Sequence, residues 1–281
     1  MAISAFALVI LSAALHALWN FATKKVSGNI CVLYIGLLLA CIIYVPFVLA
    51  FVSSELFTAA TLPYIIATGI IHTIYFFALS KAYNYGEIST VYPIARGTGI
   101  AGTTLVASVL LQETLSLFGI IGILSITLGT FLIGLKHGNR KYHYISLSFA
   151  LVVGVMIASY SIVDKLGVGI VSPLAYLYGL IVFTAIFLTP YIMIRERVEL
   201  KYAWRKFKKF SLIIGIGSVS TYLIILFVFQ RVHVSYVVAI RELAVAIGAL
   251  LGFIFLHEHH SKRKIAGIIC IVLGLIMIKM A

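Results

Sequence analysis

Long apolar runs separated by short polar breaks repeat along all 281 residues of the chain. Each run is about twenty residues long, which is the length that an α-helix needs to cross the hydrocarbon core of a bilayer. The breaks delimit ten predicted spans, at residues 3–23, 30–52, 61–80, 89–111, 117–135, 144–163, 172–194, 210–229, 234–256 and 265–280. The pattern predicts an all-α membrane protein with ten transmembrane helices.

Composition supports the membrane prediction, since 63% of the residues are hydrophobic and only 10% are charged. Soluble domains carry about a quarter charged residues. Residues 1–23 are too long and apolar for the core of a signal peptide, so we interpret them as the first span. The three cysteines, Cys31, Cys41 and Cys270, lie within spans without metal or redox spacing, and we interpret them as small buried hydrophobes.

The two halves of the sequence resemble each other when one is shifted by 145 positions. The shift aligns Arg96 with Arg241, Glu113 with Glu258, Gly122 with Gly267, and Gly129 with Gly274. This predicts two repeats, residues 1–140 and 141–281, with five spans each. Because five is odd, the second repeat must lie upside down relative to the first, as in many secondary transporters.

Lysine and arginine are distributed unevenly between the two sets of loops. The loops after the odd-numbered spans hold sixteen of them, whereas the other loops and the C-terminal tail hold three. The positive-inside rule then places both termini outside the cytoplasm, in a multi-pass protein of the plasma (inner) membrane. The net charge of +13 therefore indicates anionic lipid rather than nucleic acid as the partner. The basic loop at 195–209 is predicted to be an interfacial helix.

Paired motifs at the end of each half, "LLQETLSLFGIIGILSITLG" and "FLHEHHSKRKIAGIICIVLG", resemble the EamA-type members of the drug/metabolite transporter superfamily. The segments "ALHALWNFATKK" and "AYNYGEISTVYPIARG" are similar to one bacterial and archaeal branch. The resemblance implies ten helices around a central cavity, alternating access, and export of amino acids or other small metabolites. Many such relatives keep both termini in the cytoplasm, which the charge distribution here contradicts. The four-span multidrug relatives carry a glutamate in the first helix, where this chain has only His16 as a titratable interior group.

Arg96 follows Pro93 within the fourth apolar span, about 10 Å along the predicted helix. Pro93 is expected in the first turn or at a kink. An arginine at that depth is costly unless it faces water, a partner or a substrate. It is either a snorkelling or ion-paired structural residue, or a hook that holds a carboxylate through two parallel hydrogen bonds. Arg241 takes the same place in the second half, and Glu242 beside it either neutralises Arg241 or serves as the coupling site.

Further polar residues fall at helical spacing within the spans and share faces of the predicted helices. Asp164, four residues after Tyr160, is expected at the end of its helix. With the two arginines included, there are ten candidate substrate-binding residues: His16, Trp19, Asn20, His72, Tyr75, Tyr92, Arg96, Tyr160, Tyr222 and Arg241. The coupling candidates are Glu242 and His16.

Glu113 and Glu258 lie near the far membrane boundary, and we interpret them as structural. The run "HEHH" at 257–260 lacks the HExxH spacing, so neither a metal nor another cofactor is predicted. The chain has no GxxxxGK[ST] motif, so an ion gradient or exchange must supply the driving force.

These features predict a secondary active transporter, not an enzyme, that exports small anionic or zwitterionic metabolites such as amino acids or related compounds. It is expected to act as a monomer or homodimer. The alternatives are a membrane-embedded lipid-modifying enzyme and a passive channel.

Overall fold

The structure is a computed structural model that describes residues 1–26, 28–52, 58–86, 88–134, 140–255 and 261–281. All regular secondary structure in these ranges is helical. The eleven helices within them are α1 (Ile3–Lys25), α2 (Ile30–Phe51), α3 (Leu62–Tyr85), α4 (Ile88–Leu110), α5 (Leu117–Gly134), α6 (Arg140–Gly167), α7 (Pro173–Arg195), α8 (Arg197–Phe229), α9 (Val234–Ile240), α10 (Leu243–Phe255) and α11 (Lys262–Met280).

Seven of these helices are long and apolar enough to cross a membrane, namely α1, α2, α3, α5, α6, α7 and α8. The prediction of an all-helical, multi-pass membrane protein is confirmed to that extent. The count of ten spans and their division into two repeats remain predictions.

The predicted ninth span, residues 234–256, is divided into two helices. The break lies at Arg241 and Glu242, between α9 and α10. There the backbone N–H of Glu242 donates to Ala239 O at 3.0 Å and that of Ala244 donates to Arg241 O at 3.0 Å. These i→i−3 bonds replace the α-helical pattern with a tighter turn. We call this turn the α9–α10 break.

The basic segment at 195–209 is not a separate interfacial element. Most of it forms the first half of α8, a continuous helix of 33 residues. At 1.5 Å per residue α8 is about 50 Å long, which exceeds the hydrocarbon thickness of about 30 Å. The sequence from Arg197 to Phe210 contains neither glycine nor proline and is rich in good helix formers, so nothing ends the helix there.

Helices α5 and α11 pack together through glycines. A Cβ atom added at Gly129 would lie 2.5 Å from the carbonyl oxygen of Gly267, and one added at Gly122 would lie 2.8 Å from that of Gly274. The Ser125 hydroxyl donates to Cys270 O at 2.8 Å. Small residues let helix backbones approach closely in membranes, where helix association depends on van der Waals packing. The contact crosses the predicted repeats, joining the end of one half to the end of the other.

Glu113 holds the start of α9. Its carboxylate accepts hydrogen bonds from the Val234 N–H at 2.6 Å and from the Ser235 N–H and hydroxyl at 3.3 and 2.7 Å. A carboxylate at a helix N-terminus satisfies otherwise unpaired N–H groups and complements the helix dipole. This agrees with the structural role predicted for Glu113. Glu258 and the "HEHH" run lie outside the described residues.

Both chain termini lie at one end of the bundle, since the Lys279 ammonium group donates to Met1 O at 3.4 Å.

The cysteines agree in part with the prediction that they are small buried hydrophobes. Cys31 is buried, whereas Cys41 and Cys270 are half-buried.

Candidate functional site

A narrow cavity of about 90 Å³ lies among α1, α3, α4, α6, α8 and the α9–α10 break. Leucine and isoleucine side chains of α2, α7 and α8 form much of its wall. Eight of the ten candidate substrate-binding residues line this one cavity: His16, Trp19, His72, Tyr75, Arg96, Tyr160, Tyr222 and Arg241. They come from both halves of the sequence.

Aromatic rings form one side of the cavity. The His72 ring stacks on Tyr160 with centroids 4.5 Å apart. Tyr75 and Tyr222 each meet Tyr160 edge-on at 5.9 Å. Because the negative face of an aromatic ring attracts cations, this side can receive the positively charged part of a ligand.

Arg96 and Glu242 form a buried ion pair, with 2.6 Å between Nη2 and Oε1. Both side chains are almost fully inaccessible to water, at 4% and 1% exposure. The Arg96 guanidinium also lies over the Tyr92 ring, 5.9 Å from its centroid. Arg96 is therefore ion-paired, which agrees with one of its two interpretations.

Pro93 lies inside α4, five residues after its start, rather than in the first turn.

The ion pair shows which arginine Glu242 contacts directly. The neighbour in sequence, Arg241, was one predicted partner, but the carboxylate pairs with Arg96 of the other half. Adjacent side chains in a tight helical turn point in different directions, so sequence neighbours need not meet. A role of Glu242 in coupling stays a prediction.

Arg241 has no ion-pair partner among the described residues. Its guanidinium lies over the Tyr222 ring, 5.4 Å from the centroid, and its Nε has no hydrogen-bond partner. The residue is 4% exposed. A buried cation without a directly paired counter-ion is costly, so an anion in the cavity would stabilise it.

Other buried polar atoms around the cavity also lack hydrogen-bond partners. They are His16 Nδ1, Trp19 Nε1 and Arg96 Nε. Buried polar groups are nearly always satisfied in native proteins, by protein atoms, water or a ligand. Their concentration beside one cavity indicates that this cavity receives a polar ligand or water.

Asn20 and Tyr92 are placed behind the cavity wall instead of on it. The Asn20 amide donates to His16 O at 3.0 Å and to the Tyr92 hydroxyl at 3.3 Å. Neither residue lines the cavity. Tyr92, whose ring lies beneath the Arg96 guanidinium, is in position to orient Arg96, and Asn20 holds the Tyr92 hydroxyl.

The burial of Asp164 is not indicated by its position in the sequence. It lies in the last turn of α6, near the predicted helix end, but it is fully buried. Its carboxylate accepts hydrogen bonds from the hydroxyls of Thr68 at 2.6 Å, Tyr176 at 2.8 Å, and Tyr222. The available signal was that Asp164 is the only aspartate in the sequence and lies four residues from Tyr160.

Comparison with known proteins places both halves of the chain in related families. Residues 144–280 match the model of the EamA-like transporter family. Residues 32–126 match the model of the Small Multidrug Resistance protein family. The second half of the chain is thus similar to the EamA-like transporters, and much of the first half to the Small Multidrug Resistance proteins. The resemblance to EamA-type members of the drug/metabolite transporter superfamily is thereby confirmed.

No curated protein sequence matches this chain significantly. Among solved structures, the crystal structure of one protein is similar with a TM-score of 0.78 and 16% sequence identity, covering 100% of this chain and 98% of that one. At this identity the likeness establishes the fold alone.

Proposed function

We propose that this EamA-like protein is a secondary active transporter of small anionic or zwitterionic metabolites. The observation that carries the proposal is the unpaired, buried guanidinium of Arg241 in a cavity with an aromatic side. Guanidinium groups bind carboxylates through two parallel hydrogen bonds. The faces of the aromatic rings complement an amino group on the same molecule.

An anionic substrate in the cavity would also act on the Arg96–Glu242 ion pair. A substrate carboxylate that reaches both arginines competes with Glu242 for Arg96. Since Glu242 lies in the α9–α10 break, displacing it loosens the contact between α4 and that break. Substrate binding and helix movement are coupled in this way, which alternating access requires.

The proposed architecture is ten spans in two inverted repeats, residues 1–140 and 141–281. Support comes from the glycines of α5 and α11. Gly122 and Gly129 occupy positions equivalent to Gly267 and Gly274, yet Gly122 contacts Gly274 and Gly129 contacts Gly267. An antiparallel crossing about a local twofold axis gives this exchange of partners. We further propose export across the plasma (inner) membrane, with both termini extracytoplasmic and anionic lipid against the basic half of α8.

A passive channel and a lipid-modifying enzyme are the alternatives. A channel needs a continuous polar path, whereas the cavity walls include Leu33, Leu37, Leu177 and Leu180. A lipid-modifying enzyme needs reactive groups near the interface, but the charged groups at the cavity lie within the helical bundle.

Purified protein in liposomes tests the proposal. Liposomes preloaded with an unlabelled metabolite are diluted into a trace of the same labelled metabolite, and a panel of amino acids, dicarboxylates and amines is compared. The proposal predicts saturable accumulation of the label for an anionic or zwitterionic member of the panel. Labelled flux that is neither saturable nor stimulated by preloading would indicate a channel, and chemical change of the liposome lipids would indicate an enzyme.

A further inference from the structure

Asp164 forms a second buried polar site beside the cavity, with chemistry different from that of the arginines. No arginine, lysine or histidine lies within ion-pair distance of its carboxylate among the described residues. Its three hydrogen-bond partners are the neutral hydroxyls of Thr68, Tyr176 and Tyr222, which belong to α3, α7 and α8. A buried carboxylate whose hydrogen-bond partners are all neutral hydroxyls can be either ionised or protonated, since hydroxyls donate to the first form and accept from the second.

His72 connects this carboxylate to the cavity. Its Nδ1 lies 2.9 Å from Thr68 O and 3.1 Å from Thr68 Oγ1. A carbonyl oxygen only accepts hydrogen bonds, so this contact places the imidazole proton on Nδ1. The other ring nitrogen, Nε2, is then the basic atom, and His72 lines the cavity.

The geometry points to Asp164 as a proton-binding site that exchanges protons with the cavity through His72 and Thr68. A hydronium ion in the cavity gives its proton to His72 Nε2, which forms the imidazolium and leaves a water molecule. The Nδ1 proton then passes to Thr68 Oγ1 while the hydroxyl proton of Thr68 passes to Asp164 Oδ1, across the 2.6 Å hydrogen bond. His72 and Thr68 end neutral, one proton has moved from the cavity to the carboxylate, and the reverse sequence returns it.

Tyr222 connects the state of Asp164 to the substrate cavity. Its hydroxyl donates to Asp164 Oδ2, while the Arg241 guanidinium lies over the face of its ring. Protonation of the carboxylate removes the charge that holds the Tyr222 hydroxyl, directly beneath the proposed substrate hook. The charged and titratable groups that face this site are His72 from α3, Tyr176 from α7, Tyr222 from α8 and Arg241 behind Tyr222.

Lys165, next to Asp164 on α6, does not neutralise it. Its ammonium group donates to the carbonyl oxygens of Phe229 and Val232, at the end of α8. The two neighbouring charges of α6 therefore have separate partners, and the Asp164 carboxylate remains free to titrate.

Nuclear magnetic resonance tests this site without any substrate, and so independently of the proposed function. Because Asp164 is the only aspartate in the chain, aspartate labelled with carbon-13 in its side-chain carboxyl gives a one-site signal. The protein is produced by cell-free synthesis, which limits scrambling of the label, and is reconstituted in lipid bilayers. We expect the carboxyl resonance to move between its ionised and protonated positions as pH changes at constant sodium. A resonance that stays fixed over the pH range in which the protein remains folded, or that follows sodium at constant pH, would overturn the proposal.

Two matched variants test the path. Thr68→Val and Tyr176→Phe each remove one hydroxyl donor to Asp164, but only Thr68 contacts His72. Thr68→Val is expected to slow proton exchange at the carboxyl by roughly a hundredfold or more, which is the usual value of a positioned proton-transfer group. Tyr176→Phe is expected to keep exchange near the wild-type rate. Equal slowing in the two variants would contradict a route through Thr68.

Discussion

Arg96 of α4 and Glu242 of the α9–α10 break form an ion pair with 2.6 Å between their nearest charged atoms, inside the helical bundle. The two residues are far apart in sequence and come from different halves of the chain. The ion pair holds α4 against the point where the predicted ninth span is divided. Its contribution to stability is therefore the first quantity to measure.

Replacing Glu242 with glutamine should lower the free energy of unfolding in detergent micelles by about 3–5 kcal/mol, because Arg96 is left buried without a counter-ion. Arg96→Gln should have a similar effect. The double variant should lose much less than the sum of the two, which a double-mutant cycle measures. Arg205→Gln removes an exposed cation from α8 and serves as the control, with an expected change within about 0.5 kcal/mol. Additive losses in the double variant would contradict a direct interaction.

The glycine contact between α5 and α11 gives a second stability prediction. Gly129→Ala places a Cβ 2.5 Å from the Gly267 carbonyl oxygen, which is a backbone atom and cannot rotate away. The helices must separate, at an expected cost of about 1–3 kcal/mol. Gly248→Ala on α10 is the matched control, since nothing lies within 4 Å of the added Cβ. That variant should be neutral or stabilised by up to about 1 kcal/mol, because alanine favours helix. Equal thermal stability of the two variants in the same detergent would contradict close packing at Gly129.

Glu113 is expected to stabilise α9, the helix that ends directly before Arg241. Glu113→Ala removes the acceptor for the Val234 and Ser235 N–H groups and should cost about 1–2 kcal/mol of stability. Hydrogen exchange of these two amides should accelerate, while amides in α2 remain unchanged. Glu113→Gln keeps one acceptor oxygen and should lie between alanine and wild type. Unchanged exchange at residues 234 and 235 in the alanine variant would show that the cap is not formed.

Orientation in the membrane can be tested on a variant that lacks Cys31, Cys41 and Cys270. A single cysteine at position 204 replaces a tryptophan that is 51% exposed on the basic half of α8. Because the basic loops are predicted to be cytoplasmic, a membrane-impermeant thiol reagent should label this cysteine only after permeabilisation. A single cysteine at position 281 should react in intact cells. The opposite labelling pattern would place both termini in the cytoplasm.

The length of the apolar runs is sufficient to predict an all-helical membrane protein, and the permanent charges of Arg96 and Arg241 within such runs are sufficient to single them out. The α9–α10 break was not predictable in the same way. Residues 234–247 contain neither glycine nor proline, so the usual signals of a helix interruption are missing. The break depends on where the Arg241 and Glu242 side chains find space and partners in the folded bundle.

Contacts between helices explain the remaining differences between the sequence predictions and the structure. Glu242 was known to be near Arg241 in sequence, but its pairing with Arg96 depends on how α4 packs against the second half. Asp164 was expected at a helix end, which its position in the last turn of α6 agrees with. Its burial depends on hydroxyls from α3, α7 and α8. Spacing along one helix cannot identify such contacts.

The central claim is that Arg241 holds the anionic group of a transported metabolite. The direct measurement is counterflow in liposomes of the metabolite found by the panel, compared among wild type, Arg241→Lys and Arg241→Gln at equal protein density. A bidentate hook predicts that lysine weakens apparent affinity by about tenfold or more, since an ammonium lacks the planar fork, and that glutamine weakens it further. The methyl ester of the same metabolite should compete poorly with wild type and should distinguish the variants little. Wild-type affinity for the free acid in both variants would contradict the claim.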